Sequence, residues 1–154
     1  MRRQSGSATI EFALVAVAFL VLLLGVMEFS RLLFTWNALG AMTQRGARLA
    51  ALCPPGAPDI ARLALFRDVE GSGGPVPELR EENLRVSYLD ENLSDTGGAY
   101  PISFVRVRIV GYRHRMLIPF VPHRLIPSPA FSTTLPAESL GYVPDTGERS
   151  CLGA

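Results

Sequence analysis

The sequence lacks most of what an enzyme or a nucleic-acid binder requires. Its 154 residues carry 15 basic and 14 acidic side chains, a formal net charge of +1. That balance removes the electrostatic reason to expect nucleic acid as a partner. Histidine is scarce. The two present, His114 and His123, have no Cys or carboxylate companions at metal-ligand spacing. They are expected as surface side chains, and no metal is expected. No serine sits in a nucleophile-elbow pattern. The cluster Gly71-Ser72-Gly73-Gly74-Pro75 has no Lys-Ser or Lys-Thr after it. It reads as a flexible linker and not as a phosphate cradle. No catalytic residue and no cofactor is expected, and the chain reads as a non-enzyme.

Cysteine is also sparse, with Cys53 and Cys151 alone. If the region after the first helix lies outside an inner membrane, both face an oxidising compartment. A disulfide between them would tie the end of that helix to the extreme C-terminus. The loop-entropy model assigns about 4–5 kcal/mol to such a closure. The alternative is two unpaired thiols.

What is abundant is a long apolar run. Phe12 to Met27 is uninterrupted, and Ile10 and Leu32-Leu33-Phe34 extend it on either side. The core run of about 16 residues is a little short of the roughly 20 that span a bilayer. It is rich in Leu, Val and Ala, with Gly25 its one weak helix former, which suits a continuous helix. Phe34 and Trp36 suit the far interface, while Arg2 and Arg3 precede the run. The positive-inside rule places that short end in the cytoplasm and the residues after about 35 outside.

Helical character continues from Asn37 to Ala50, with Ala38, Ala41, Met42, Leu49 and Ala50 read as an apolar face and Arg45 and Arg48 on the wetter side. Cys53-Pro54-Pro55-Gly56 stops the helix. Its length of about 45 residues corresponds to roughly 65 Å, twice the apolar thickness of a bilayer, so its second half must pack on something else.

A short helix is expected over 59–68, with Asp59 as N-cap. Leu84 to Leu89 alternates as a strand, with Leu84, Val86 and Tyr88 on one face. Ser103 to Val110 is the clearest strand, with Val105, Val107 and Ile109 on one side and Arg106 and Arg108 on the other. Asp95-Thr96-Gly97-Gly98 connects these two as an antiparallel hairpin with a longer loop. Phe131 to Leu135 offers a third strand. The expected fold is therefore α+β: one long N-terminal helix, membrane-spanning in its first half, packed on an antiparallel sheet of about three strands. The proline-punctuated segment 116–127 is neither a spanning helix nor a central strand. It either folds over the sheet edge or forms an exposed contact patch. Arg106, Arg108, Arg113 and Arg115 belong either to a solvated face or to a site for phosphate or acidic lipid.

Three charges near the apolar run carry the functional argument. Glu28 and Arg31 are three apart near its outer end, so they can pair within one helix; the alternative is a link between neighbouring helices. Glu11 stands at the inner threshold, where an ionised carboxylate costs roughly 2–4 kcal/mol unless paired or at the interface. Gly6 precedes Glu11 by five positions. The N-terminus admits a cleaved secretory signal, an uncleaved single-pass anchor, or cleavage after Gly6 on the cytoplasmic side. Ala38-Leu39-Gly40-Ala41 lies too far past the apolar core for the first.

Gly6, four residues, Glu11-Phe12 and an apolar helix resemble the prepilin-peptidase site of type IV pilin-like proteins. Ser7-Ala8-Thr9-Ile10-Glu11-Phe12-Ala13-Leu14, Val26-Met27-Glu28-Phe29-Ser30-Arg31-Leu32-Leu33 and Ala41-Met42-Thr43-Gln44-Arg45-Gly46-Ala47-Arg48 resemble the TadE-like family, the minor pilins or pseudopilins of the tight-adherence system. The resemblance is specific over residues 6–50 and loose beyond. It implies a leader of residues 1–6 removed between Gly6 and Ser7 by a membrane prepilin peptidase, a helix over 7–52 with its transmembrane part at about 10–34, and a periplasmic or extracellular region over 53–154. It also implies an inner-membrane protein, retained there or carried into the filament, that helps prime or cap a Flp-type pilus in adhesion or biofilm formation. The implied partners are the peptidase, other pilin or pseudopilin subunits, the inner-membrane assembly platform and membrane lipid. Glu11 would attract the amino terminus of a subunit. The competing reading is an uncleaved anchor whose outer domain binds an envelope ligand or protein.

Overall fold

The computed structural model describes residues 5–67, 73–76, 78–117, 125–145, 147, 149 and 151. The chain opens on α1, Ser5–Leu52, a helix of 48 residues. At about 1.5 Å per residue it is roughly 72 Å long. It ends where Pro54 and Pro55 can no longer continue it. It runs through Gly6 and Ser7 without a break. A second helix, α2, spans Asp59–Ala64 and is shorter than expected. Asp59 is its first helical residue and not its cap: Pro58 holds the cap position, and the Asp59 carboxylate pairs with Arg62 one turn on.

A turn of 3-10 helix, Glu81–Asn83, leads into β1, Leu84–Leu89. β2 is Phe104–Ile109, β3 is Arg113–Arg115, β4 is Leu125–Pro127 and β5 is Ser132–Pro136. β1, β2 and β5 form an antiparallel sheet with β2 central, so the fold is α+β as the alternation implied. β3 and β4 form a separate two-stranded ladder. Of the segment 116–127, the end, β4, pairs back on β3, while Ile118 to Arg124, His123 among them, lie outside the described residues.

The outer part of α1 covers the inner face of the sheet. Val105, Val107 and Ile109 are buried beneath it. The covering stripe is Leu39, Met42, Thr43, Gly46, Ala47 and Ala50, at spacings of three and four. This differs from the expected face, since Ala41 is exposed and Leu49 is half-buried. The reason is close approach. A Cβ added at Gly46 would lie 3.1 Å from both the Ala64 Cβ on α2 and a Val107 methyl on β2. Thr43 is buried but satisfied: its hydroxyl donates to the Gly40 carbonyl at 2.8 Å and accepts from the Thr133 hydroxyl on β5 at 3.0 Å. Gly46 occupies the point of the stripe where α1, α2 and β2 approach closely, while Leu39 and Met42 fill the core beside it.

The C-terminal segment closes the far end of α1. Glu138 and Leu140 N–H groups donate to the Ala51 carbonyl at 3.3 and 3.2 Å, and the Ser139 hydroxyl donates to the Leu52 carbonyl at 3.4 Å. These meet carbonyls that a helix end leaves without partners. A disulfide joins Cys53 to Cys151, with Cα atoms 4.5 Å apart across 98 positions of sequence. Closure of so long a loop removes about 4–5 kcal/mol of unfolded-chain entropy.

Two glycines on α1 should therefore respond in opposite directions. Gly40 has open space where a Cβ would stand. Gly40→Ala should raise stability by about 0.5–1 kcal/mol through backbone entropy. Gly46→Val should lower it by about 1–3 kcal/mol through overpacking. The thermal midpoint of the full chain in detergent micelles reads both.

Candidate functional site

The inner part of α1 is bare. From Gly6 to Met27 every described residue is exposed except the half-buried Ala16. The large side chains Phe12, Leu14, Val15, Phe19, Leu22 and Val26 all point away from the rest of the chain. An apolar surface of this extent needs a cover that the described residues do not supply. The helix is long and apolar enough to cross a membrane.

At its start, Gly6 sits in open space, with no atom within 4 Å of an added Cβ. One turn on, the Ser7 hydroxyl donates to Glu11 Oε1 at 3.1 Å. Residues 7 and 11 thus occupy one face of the helix, a single turn apart. Any positive charge placed at residue 7 would stand one turn from the carboxylate. Glu11 is exposed, so its neighbours along the helix leave the carboxylate open to a second molecule.

The first charge after Glu11 is Glu28, and there the cover begins. Glu28 is 6% exposed. Arg31 Nη1 donates to both of its carboxylate oxygens, at 3.0 and 3.1 Å. The expected intrahelical pair is therefore present as an ion pair. His114, on β3, reaches the same carboxylate, with Nε2 3.5 Å from Glu28 Oε1. The expectation that His114 lies on the surface is overturned: it is 3% exposed. The cause is the β3–β4 ladder, which lays His114, Met116 and Ile126 beside Gly25, Glu28, Phe29 and Leu32 of α1. No short-range signal marks this contact, because strands far along the chain bring His114 to the helix. The apolar Leu125-Ile126-Pro127 that pairs with β3 is the nearest clue in the sequence.

Beside this junction an open cleft of about 570 Å³ is lined by Arg31, Thr35, Glu78, Tyr112, His114 and Arg115 among others. Burial pushes the Tyr112 phenol above its ordinary value, and the Glu78 carboxylate adds to the rise. Tyr112 therefore stays neutral at physiological pH and adds no charge to the cleft. Among the described residues no group of three or more His, Cys, Asp or Glu is placed to hold a metal ion.

The Glu28 pair offers a direct energetic test. Arg31→Met leaves a nearly buried carboxylate short of its bidentate partner. The Arg31 side chain is 40% exposed, so solvent screens part of the loss. The expected destabilisation is about 1–3 kcal/mol. Glu28→Leu combined with Arg31→Met should recover most of it, because both members of the pair are then gone. Thermal unfolding of the two variants in micelles distinguishes them.

No curated protein and no solved structure matches the chain. The family model described as TadE-like protein matches residues 6–48, from the open glycine to the stripe that meets the sheet. Residues 6–48 of this chain are thus similar to the TadE-like family, and they carry Glu11, Glu28 and Arg31 on one continuous helix.

Proposed function

We propose that this protein is a TadE-like minor pilin or pseudopilin. A membrane prepilin peptidase removes residues 1–6, and the mature chain starts at Ser7. The matured protein sits in a bacterial inner membrane with its N-terminus cytoplasmic and residues 53–154 on the periplasmic side. It takes part in priming or capping a Flp-type pilus and has no catalytic role of its own. The observation that carries the reading is the coincidence of the TadE-like match with Gly6, Ser7 and Glu11 at the head of a bare apolar helix.

The physical logic concerns charge. Cleavage after Gly6 creates an α-amine on Ser7, positive at neutral pH. A carboxylate at the apolar threshold and an ammonium at the same depth each lose hydration, and their attraction strengthens as the dielectric falls. Glu11 can meet the amine of its own Ser7, one turn away, or that of a neighbouring subunit. Pairing with a neighbour sets the axial register of one helix against the next. Partners in this reading are adjacent pilin or pseudopilin subunits and the inner-membrane assembly platform.

Intact mass of the protein purified from its native host decides the first step. Loss of residues 1–6 is expected, and a chain that keeps Arg2 and Arg3 would support the uncleaved anchor instead. Gly6→Ala should block that loss. Glu11→Ala should leave the mass change in place while reducing pili counted by electron microscopy. Normal piliation in the Glu11→Ala strain would rule out the charge-pairing role.

A further inference from the structure

The free edge of the main sheet, β5, is open in a way that its opposite edge is not. In the ladder between β2 and β5, the Ile109 N–H donates to the Phe131 carbonyl at 3.0 Å, and the Ala137 N–H donates to the Ser103 carbonyl at 2.9 Å. Antiparallel ladders alternate, so Thr133 and Leu135 also turn their backbone groups toward β2. Ser132 and Thr134 then turn their N–H and C=O groups outward. Among the described residues nothing bonds to these outward groups. On the other edge, the Thr96 N–H and hydroxyl both donate to the Tyr88 carbonyl, at 2.8 and 3.0 Å, so the connection after β1 partly closes it.

Exposed edges are ordinarily blunted by charge, bulges or mid-strand proline. β5 reads Ser-Thr-Thr-Leu-Pro, with no charge and with its proline in last place. Its alternation is regular, and its exposed side carries Ser132 and Thr134.

The outer face of the same sheet is a field of arginine. Arg85 lies directly opposite Arg108, and Arg106 lies opposite Ser87. Like charges facing each other across a ladder are destabilising. No carboxylate among the described residues forms an ion pair with any of the three, since the acidic partners are placed at Arg31, Arg62, Arg80 and His114. Arg106 reaches over β5, its Nε donating to the Thr134 hydroxyl at 3.1 Å, so its guanidinium stands beside the open edge. All 15 basic residues of the chain are arginine. Its planar fork favours carboxylates held in two bonds.

We propose that the β5 edge and the arginine face together receive an extended acidic segment of another protein, added as a fourth strand. Its backbone bonds the outward groups of Ser132 and Thr134, and its carboxylates, on alternate residues, meet Arg106 and Arg108. The arginines exclude a second copy of this chain as occupant: a two-fold β5 pairing would set three more arginines on the same face. An anionic lipid or phosphate would engage the arginines but leave the outward backbone groups without strand partners. The proposal does not depend on leader cleavage and stands apart from the Glu11 pairing.

The test uses the full chain in nanodiscs of zwitterionic lipid and a fluorescein-labelled peptide alternating Glu with Val. Fluorescence anisotropy should show saturable binding that weakens with added salt. Arg85→Gln, Arg106→Gln and Arg108→Gln together should weaken it roughly tenfold or more. Ser132→Pro removes an outward N–H without touching the ladder to β2 and should abolish binding. The same peptide with its alternate backbone nitrogens methylated on the pairing side should also fail, and it poses the question to the unaltered protein. Absence of saturable binding overturns the proposal, as does equal binding of the methylated peptide. Displacement of the peptide by nanodiscs of anionic phospholipid assigns the face to a membrane surface and overturns it too. Sedimentation showing a β5-dependent dimer in place of peptide binding does the same.

Discussion

One helix here has to satisfy two surroundings, and the change falls at Glu28. From Phe12 to Met27 no charge interrupts α1, and its large side chains point outward on all sides. That is the pattern of a helix whose environment is uniformly apolar. From Leu39 to Ala50 the apolar residues narrow to a stripe, and most of them become small. That is the pattern of a helix pressed against a sheet on one side with water on the other. Glu28 is the carboxylate at the change, covered by the β3–β4 ladder and neutralised by Arg31 and, when protonated, by His114.

The rest of the chain meets the helix at both ends of this stretch. Toward the apolar half of the helix, His114 of β3 reaches Glu28 of α1, and Met116 and Ile126 line a cavity beside it. At the far side, the Ala51 and Leu52 carbonyls accept bonds from the C-terminal segment, and Cys53 is joined to Cys151. Between them Gly46 lets α1, α2 and β2 meet at contact distance. In the proposed reading, the axial position that Glu11 selects at the membrane is carried directly to the sheet and its open edge.

Much of this was legible along the chain. The apolar run and Cys53-Pro54-Pro55 set the length of α1, because hydrocarbon thickness and the chemistry of proline act locally. The alternation in Leu84 to Leu89 and around Val105, Val107 and Ile109 identified β1 and β2, because side chains on a pleated strand must alternate. The pair Glu28–Arg31 followed from helical spacing alone. The failures share a cause. His114 looked like a surface side chain because the residues that bury it are far away in sequence. Ala41 looked like core because the stripe was read from apolar identity, whereas the observed stripe admits Gly46 and Thr43, one for its lack of a side chain and the other for a hydroxyl that Thr133 completes.

The sequence by itself determined the long helix, the place where it stops, the strands of the main sheet and the five-residue interval from Gly6 to Glu11. Each of these rests on interactions within a turn or a strand, or on an apolar run measured against a bilayer. Tertiary structure decided which face of α1 meets the sheet, that a second ladder of two strands covers Glu28, and which edge of the sheet stays open. These depend on pairings between distant segments. Their outcome is set by how closely backbones approach and how buried charges find partners, which no local pattern encodes.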